Sequence, residues 1–325
     1  MLLINAIQDF AIDEEQFEEP FSLLEGVYLA WTSPFVKEQI SDSMMSAMGG
    51  LDYASLTDGT HPVLFSRIKT KQPDEPLRVL AVMHTYIHTF LHCLWLVKDN
   101  SVNADVGFVH SIDSQGKEVA SSNSRASVYT SADGCRKKLK YSRAELIEPR
   151  TLYERLDTLG KARSHPSTLN PISQVEPTGT VVTADEVRAL TRISYFVNSA
   201  RACSDLSVKV AHYSTSLEIL FSTDSSEISH KLAERVALFL GHTFAERKQL
   251  FNRVKRLYSV RSRVVHGDVL GRTSSARLSE ISADADDLLR QLLRLILNSN
   301  EFCELFEGSK EAREEYFVDL VLQSR

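Results

Sequence analysis

Cysteine is scarce and scattered. Cys93, Cys135, Cys203 and Cys303 form no C-x-x-C pair, which argues against a disulfide framework or a cysteine-rich zinc site and for reduced thiols in a cytosol. Sequence motifs for common enzyme classes are missing too. No P-loop, G-x-G-x-x-G, H-E-x-x-H or G-x-S-x-G occurs, so NTPase, dinucleotide-binding, zincin and serine-hydrolase readings have no support. The amino terminus, MLLINAIQDFAIDEEQFEE, lacks a basic n-region and turns acidic at once, so no signal peptide is expected and the location expected is cytoplasmic. Positive charge is not in excess: 37 Lys and Arg face 43 Asp and Glu, for a formal net charge of −6. A general polyanion-binding coat is thereby excluded. What is present is a 325-residue chain with 43% hydrophobic and 25% charged residues, the balance of a soluble globular protein long enough for two domains.

Hydrophobic periodicity divides the chain into a mixed α+β domain over 1–163, a Pro-rich linker over 164–182 and an all-α helical bundle over 183–325. In the first domain, 26–31, 63–68, 105–111, 118–121 and 126–130 read as strands. Pro76 opens a long helix over 76–98 whose apolar face includes Val79, Val82, Met83, Ile87, Phe90, Leu91 and Leu94. That helix approaches membrane-span length, but Arg78, three histidines and two threonines make it a buried helix of a soluble protein, and no membrane partner is expected. Its histidines, His84, His88 and His92, step by four along one edge. Neighbours could share a metal, but the outer two are about 12 Å apart by helix rise and no acidic or cysteine ligand is placed to complete a site. They are weak metal candidates against a plainer reading as polar edge residues packed on a sheet. Arg136, Lys137, Lys138 and Lys140 form a short basic cluster, and 149–163 reads as a helix.

After Thr183 strand signals vanish. Helices are expected over 185–202, 206–221, 227–240 (capped by Asp224 or Ser225 and ending at Gly241), 277–298 and 310–323, the last with a Lys310–Glu314 pair. Thr243 with Glu246 makes a capping box for a long helix that ends at Gly267. Within it, Leu250, Phe251, Val254, Leu257, Tyr258 and Val265 mark one apolar stripe, and Arg261 falls on that stripe. A guanidinium on a core-facing line is costly unless a carboxylate, a phosphate or a partner surface meets it. Basic residues crowd this stretch: Arg247, Lys248, Arg253, Lys255, Arg256, Arg261, Arg263 and Arg272, opposed only by Asp268. Arg253, Lys255, Arg256 and Arg272 are the expected contacts of a local polyanion site, against a plainer reading as a solvated basic helix face.

Arg261 and His266 form an R-x4-H pair. Arg235 and His242 give a comparable R-x6-H spacing, read as a decoy because Arg235 sits inside a well-patterned helix where Glu218 or Glu234 can pair with it. A structural reading of the first pair is also available, with Arg261 ion-paired to Glu218 and His266 bonded to the last helix carbonyls. Set in YSVRSRVVHG (Tyr258–Gly267), with Ser216–Phe221 (SLEILF) and His230–Ala237 (HKLAERVA) upstream, the pair resembles the signature of HEPN domains, especially the ApeA-like branch. The likeness spans roughly 185–300. It implies a HEPN-type helical bundle and a homodimeric, metal-independent endoribonuclease of toxins and antiphage defence, with RNA as substrate, no cofactor, and an antitoxin or regulatory protein as a further partner. Carried over, Arg261 holds the scissile phosphate and His266 transfers protons. The family often places Asn, Asp or His directly after the arginine, where this chain has Ser262. A non-catalytic HEPN dimerisation or RNA-binding module is the alternative.

The chemistry is coherent. Attack by a ribose 2′-OH needs a base, an acid and a cation for the phosphorane charge, and leaves 2′,3′-cyclic phosphate ends. One histidine per chain cannot serve as both base and acid at once, so two-fold symmetry would supply the second. Residues five apart on a helix differ by about 140° in direction, so Arg261 and His266 of one chain do not face one phosphate on a straight helix. Ser262 and Arg263 share the face of His266. Ser262 is therefore expected to orient the imidazole, Arg263 to add a phosphate contact, and Tyr258 and Glu218 to support Arg261.

Overall fold

Alternating side chains of short strands set the architecture of the amino-terminal half. In the computed structural model the described residues are 1–12, 19–31, 34–57, 62–68, 76–113, 115–124, 128–162, 188–224, 226–267 and 274–323. They form two units: Met1–Leu94, Asn100–Val128 and Arg136–Thr180 in the first, and Trp95–Asp99, Tyr129–Cys135 and Val181–Arg325 in the second. The expected linker over 164–182 lies outside the described residues.

The first unit contains a six-stranded antiparallel sheet. Its strands are β1 (Leu2–Ala6), β3 (Phe21–Leu24), β4 (Val27–Trp31), β5 (Pro62–Arg67), β6 (Val106–Ile112) and β7 (Glu118–Ser124), in the order β3-β4-β5-β1-β6-β7. β2 (Phe10–Ile12) and β8 (Leu139–Tyr141) form a separate parallel pair. Leu3, Leu29, Leu64 and Val109 point to one face, where Leu80, Met83, Ile87, Leu91 and Leu94 of helix α4 (Pro76–Val97) cover them. Ile4, Ala30, Val63, Phe65 and Phe108 point to the other. There they meet Met44 and Met48 of α2 (Asp42–Met48) and Leu56 of α3 (Gly50–Thr57), helices preceded by the short α1 (Pro34–Gln39). A sheet covered on both faces reads as continuous apolar runs rather than alternation, which is why VLF and LLIN look alike in the sequence. α5 (Ile147–Ala162) completes this unit.

α4 is the one helix among the described residues long and apolar enough to cross a membrane. Its best 18-residue window has mean hydropathy 1.3 and is 72% buried by protein, as the core helix of this sheet. His84, His88 and His92 are all buried on it. His84 Nε2 lies 2.8 Å from Asn5 Nδ2 on β1, and a Cβ at Gly107 of β6 would collide with both, so the glycine makes the room this contact needs. His84 thus packs on the sheet. Among the described residues, no three His, Cys, Asp or Glu side chains gather as a metal site. The strand assignments change: residues 128–130 are not strand, while β1, β2, β3 and β8 are, all too short or too polar to stand out by pattern.

The second unit is helical: α6 (Ala189–Arg201), α7 (Leu206–Phe221), α8 (Ile228–Leu240), α9 (Phe244–His266), α10 (Ser275–Leu297), α11 (Asn300–Glu307) and α12 (Lys310–Gln323). α7 is central and meets α6, α8, α9 and α10. Asp205 caps it by accepting from the N–H groups of Ser207 and Val208. Its Phe221 closes an aromatic cluster with Phe239, Phe306 and Phe317, at centroid distances of 5.6, 5.6 and 5.5 Å. α11 has no counterpart in the periodicity reading. α8 begins after Glu227, whose φ is +48°, rather than after an Asp224 cap. Asp224 instead accepts from the Ser226 N–H at 2.8 Å and from Lys231 Nζ at 2.6 Å, and Ser225 lies outside the described residues.

Polar groups run through the core of this unit. Asp286 of α10, fully buried, accepts from Trp95 Nε1 at 2.7 Å, Tyr213 Oη at 2.8 Å and Arg290 Nε at 2.8 Å. Lys209, also fully buried, donates to Thr130 Oγ1 at 2.9 Å and to the Ser131 carbonyl at 3.1 Å. Burial pulls the Lys209 amine down to about 8, and Asp286 acts against that fall. Arg201 stacks over Tyr129, 4.3 Å from its centroid, and Ser282 donates to the Ala132 carbonyl at 2.6 Å. Buried charges are costly without partners, and Asp286 and Lys209 find some of theirs in segments far away in the chain.

Candidate functional site

α9 carries the site. The Thr243–Glu246 capping box starts it, and Gly267, with φ +73°, stops it by donating to the Arg263 and Val264 carbonyls. Val254, Leu257 and Val260 are its buried residues, whereas Val265 is 58% exposed. The apolar stripe is therefore rotated toward Val260 and leaves the bundle before the last turn.

That rotation sets the environment of Arg261. Its Nη2 donates to Glu218 Oε2 of α7 at 3.1 Å, and Nε lies 3.1 Å from Oε1. The ion pair of the structural reading is thus formed. It is not sealed: the side chains remain 23% and 17% exposed. Arg261 Cζ also sits 5.6 Å from the Tyr258 ring centroid, a cation–π contact. Burial raises the Glu218 carboxyl above the usual carboxylate range, and Arg261 offsets part of that rise. The side-on approach uses one edge of the guanidinium and leaves the Nη1 edge directed away from the carboxylate.

His266 is the exposed last residue of α9. Gly267, not the imidazole, satisfies the last carbonyls, and among the described residues neither His266 nor Ser262 makes a side-chain hydrogen bond. The expected Ser262 contact is therefore not formed. Arg263, on the His266 side, reaches back to Ser259, donating from Nε to its carbonyl and from Nη2 to its hydroxyl, both at 3.3 Å. Because 261 and 266 both lie on regular helix, the two side chains leave α9 about 140° apart. One chain does not direct them at one phosphate.

The remaining cations divide. Arg253 is drawn into α10, donating to the Asp284 carbonyl at 2.9 Å and the Asp287 carboxylate at 3.1 Å, with its side chain only 13% exposed. Arg256 reaches Asp284 at 3.4 Å but stays 45% exposed. Lys255 is exposed and has no ion pair among the described residues. Arg272 lies outside the described residues. Two residues that the sequence reading passed over border the site: Arg277 in the first turn of α10 and His230 in the first turn of α8. Arg277 could have been noticed as a cation just beyond the basic stretch; His230 carried no signal except its place in the family-like run.

Arg235 behaves as the decoy reading expects, with a different partner. Its Nη2 lies 2.5 Å from Glu314 of α12, and Nη1 donates to the Phe221 carbonyl at 2.7 Å and to Thr223 Oγ1 at 2.9 Å. Neither Glu218 nor Glu234 is involved, and Glu314 is bound here instead of serving Lys310. Comparison with family models, with curated proteins and with solved structures yields no match for this chain.

Proposed function

We propose that this chain is a metal-independent endoribonuclease of the HEPN type, acting as a homodimer in a cytoplasmic toxin or antiphage system. The observation that carries the proposal is the unsealed Arg261–Glu218 pair, on a helix whose last residue is the exposed His266, which makes no side-chain hydrogen bond among the described residues. A cation held in place by a carboxylate, with one edge left over, is preorganised to receive a phosphate. Two copies would bring two such helices together. His266 of one copy takes the proton from the ribose 2′-OH, whose oxygen attacks the adjacent phosphorus. Arg261 stabilises the charge on the phosphorane oxygens. His266 of the other copy protonates the departing 5′-oxygen as the P–O bond breaks. The products are a 2′,3′-cyclic phosphate and a 5′-hydroxyl.

A second reading, a non-catalytic HEPN-type dimerisation or RNA-binding module, is favoured by one fact: Glu218 already neutralises Arg261 within a single chain. Incubation of RNA with the protein in EDTA separates the two. Wild type is expected to yield 2′,3′-cyclic phosphate ends, and Arg261→Ala and His266→Ala each to lose at least about a hundredfold in rate. Equal cleavage by all three, or none by wild type as a dimer, removes the nuclease reading.

A further inference from the structure

Lys255 borders two concavities on opposite flanks of α9. On the α8 side, a cavity of about 590 Å³ is lined by Lys255, His230 and Tyr258, with Glu227 as its one carboxylate, and Tyr258 is the ring beneath Arg261. On the α10 side, a groove of about 530 Å³ is lined by Lys255, Arg256, Arg263 and Arg277. On helical geometry, Lys255, Arg256, Ser259, Arg263 and His266 fall within about 100° of arc, and Lys255 to His266 is roughly 16 Å along the axis. The cations therefore form one exposed track that ends at His266 and touches the Arg261 side through Lys255 and Tyr258.

The local charge supports an anionic occupant. Arg256 and Arg277 have carboxylate neighbours, Asp284 at 3.4 Å and Glu280 at 2.5 Å. Both arginines are about half exposed, with side-chain values of 45% and 50%, and pairs so exposed contribute little and exchange partners readily. Spaced cations match a repeating phosphate backbone better than one small anion. The rings of Tyr258 and His230 border the cavity at one end of the track, where an unpaired base can stack; bases held in a duplex cannot reach them.

We infer that single-stranded RNA binds along α9, its phosphates on Lys255, Arg256, Arg263 and Arg277 and one base against Tyr258 and His230. The choice of RNA rests on the ribonuclease reading; the track itself rests on the two concavities. The test uses full-length His266→Ala protein, so that RNA stays intact, and the anisotropy of a labelled 16-nucleotide single strand titrated at several salt concentrations. Lys255→Gln, Arg263→Gln and Arg277→Gln are each expected to weaken binding and to reduce the slope of log affinity against log salt by about 0.7. The triple variant should lose about tenfold or more in affinity, with Lys255→Arg restoring the first contact. Tyr258→Phe should bind as the parent does, and Tyr258→Leu about fivefold more weakly.

Unchanged affinity in the triple variant overturns the inference, provided its circular dichroism matches the parent's. So does equal binding of the matching duplex, or equally strong competition by polyglutamate, which would mark a surface for acidic protein. The two readings fail separately. RNA held by the track but never cut removes the nuclease alone; RNA cut through Arg261 and His266 by a triple variant with unaltered KM removes the track alone.

Discussion

Two arginines of the helical unit each precede a histidine, and each meets a glutamate, yet they are opposites. Arg235 is 5% exposed and is bonded to a carboxylate, a backbone carbonyl and a hydroxyl, with Phe317 4.8 Å beneath it. Arg261 has one carboxylate and one ring, and it borders solvent. The histidines differ as well. His242 opens the turn before α9, where its N–H donates to Glu246 at 2.9 Å, whereas His266 ends that helix. The lesson is that spacing alone does not tell an enclosed cation from an open one. What does is how many partners the guanidinium meets and how far it is buried.

Breaking the closed pair should cost most. Arg235→Ala leaves Glu314, Thr223 and the end of α7 short of a donor and is expected to lower stability by about 3 kcal/mol, read as a fall in the urea midpoint. At low denaturant the folded fraction should still cut RNA at the wild-type rate. Arg261→Ala should cost about 1 kcal/mol, because its guanidinium is 23% exposed and meets one carboxylate and one ring, while removing cleavage. If the two losses are reversed, the contrast between closed and open pairs is wrong.

The smallest effect tests the openness of Glu218. Its carboxyl holds its proton more tightly in the folded chain than in the unfolded one. The folded state therefore binds more protons above the ordinary glutamate range, and stability falls as pH rises through that window. Unfolding at pH 4.5 and at pH 7 should show this fall, under about 1 kcal/mol, and Glu218→Gln should flatten it. The same slope in both proteins would mean that the group responsible lies elsewhere.

Much of the helical unit was legible in sequence. α7 and α12 fall on the expected residues, and Thr243, Glu246 and Gly267 mark both ends of α9, because caps and periodicity are local signals. The Arg261–Glu218 pair was visible as one of two readings, since a cation on an apolar stripe demands a partner. Other features were illegible for a physical reason. Glu314 reaches Arg235 from a helix 79 residues further along, and no local pattern announces such a meeting. Lys209 and Asp286 look like ordinary surface positions, because their acceptors and donors come from Thr130, Ser131 and Trp95. In the first unit, β1 is five residues long with Asn5 near its end, too short for a period to show, though it lies inside the sheet.

The segments Trp95–Asp99 and Tyr129–Cys135 have a practical consequence. Severing the finished protein within 164–182 would leave every bond to Asp286 and Lys209 in place. A fragment synthesised from residue 183 onward would instead lack the indole that binds Asp286, the acceptors of Lys209 and the Ala132 carbonyl that receives Ser282. A proteolytic nick and a genetic truncation at the same point therefore produce different molecules, and only the nicked one keeps these bonds of the bundle's polar interior.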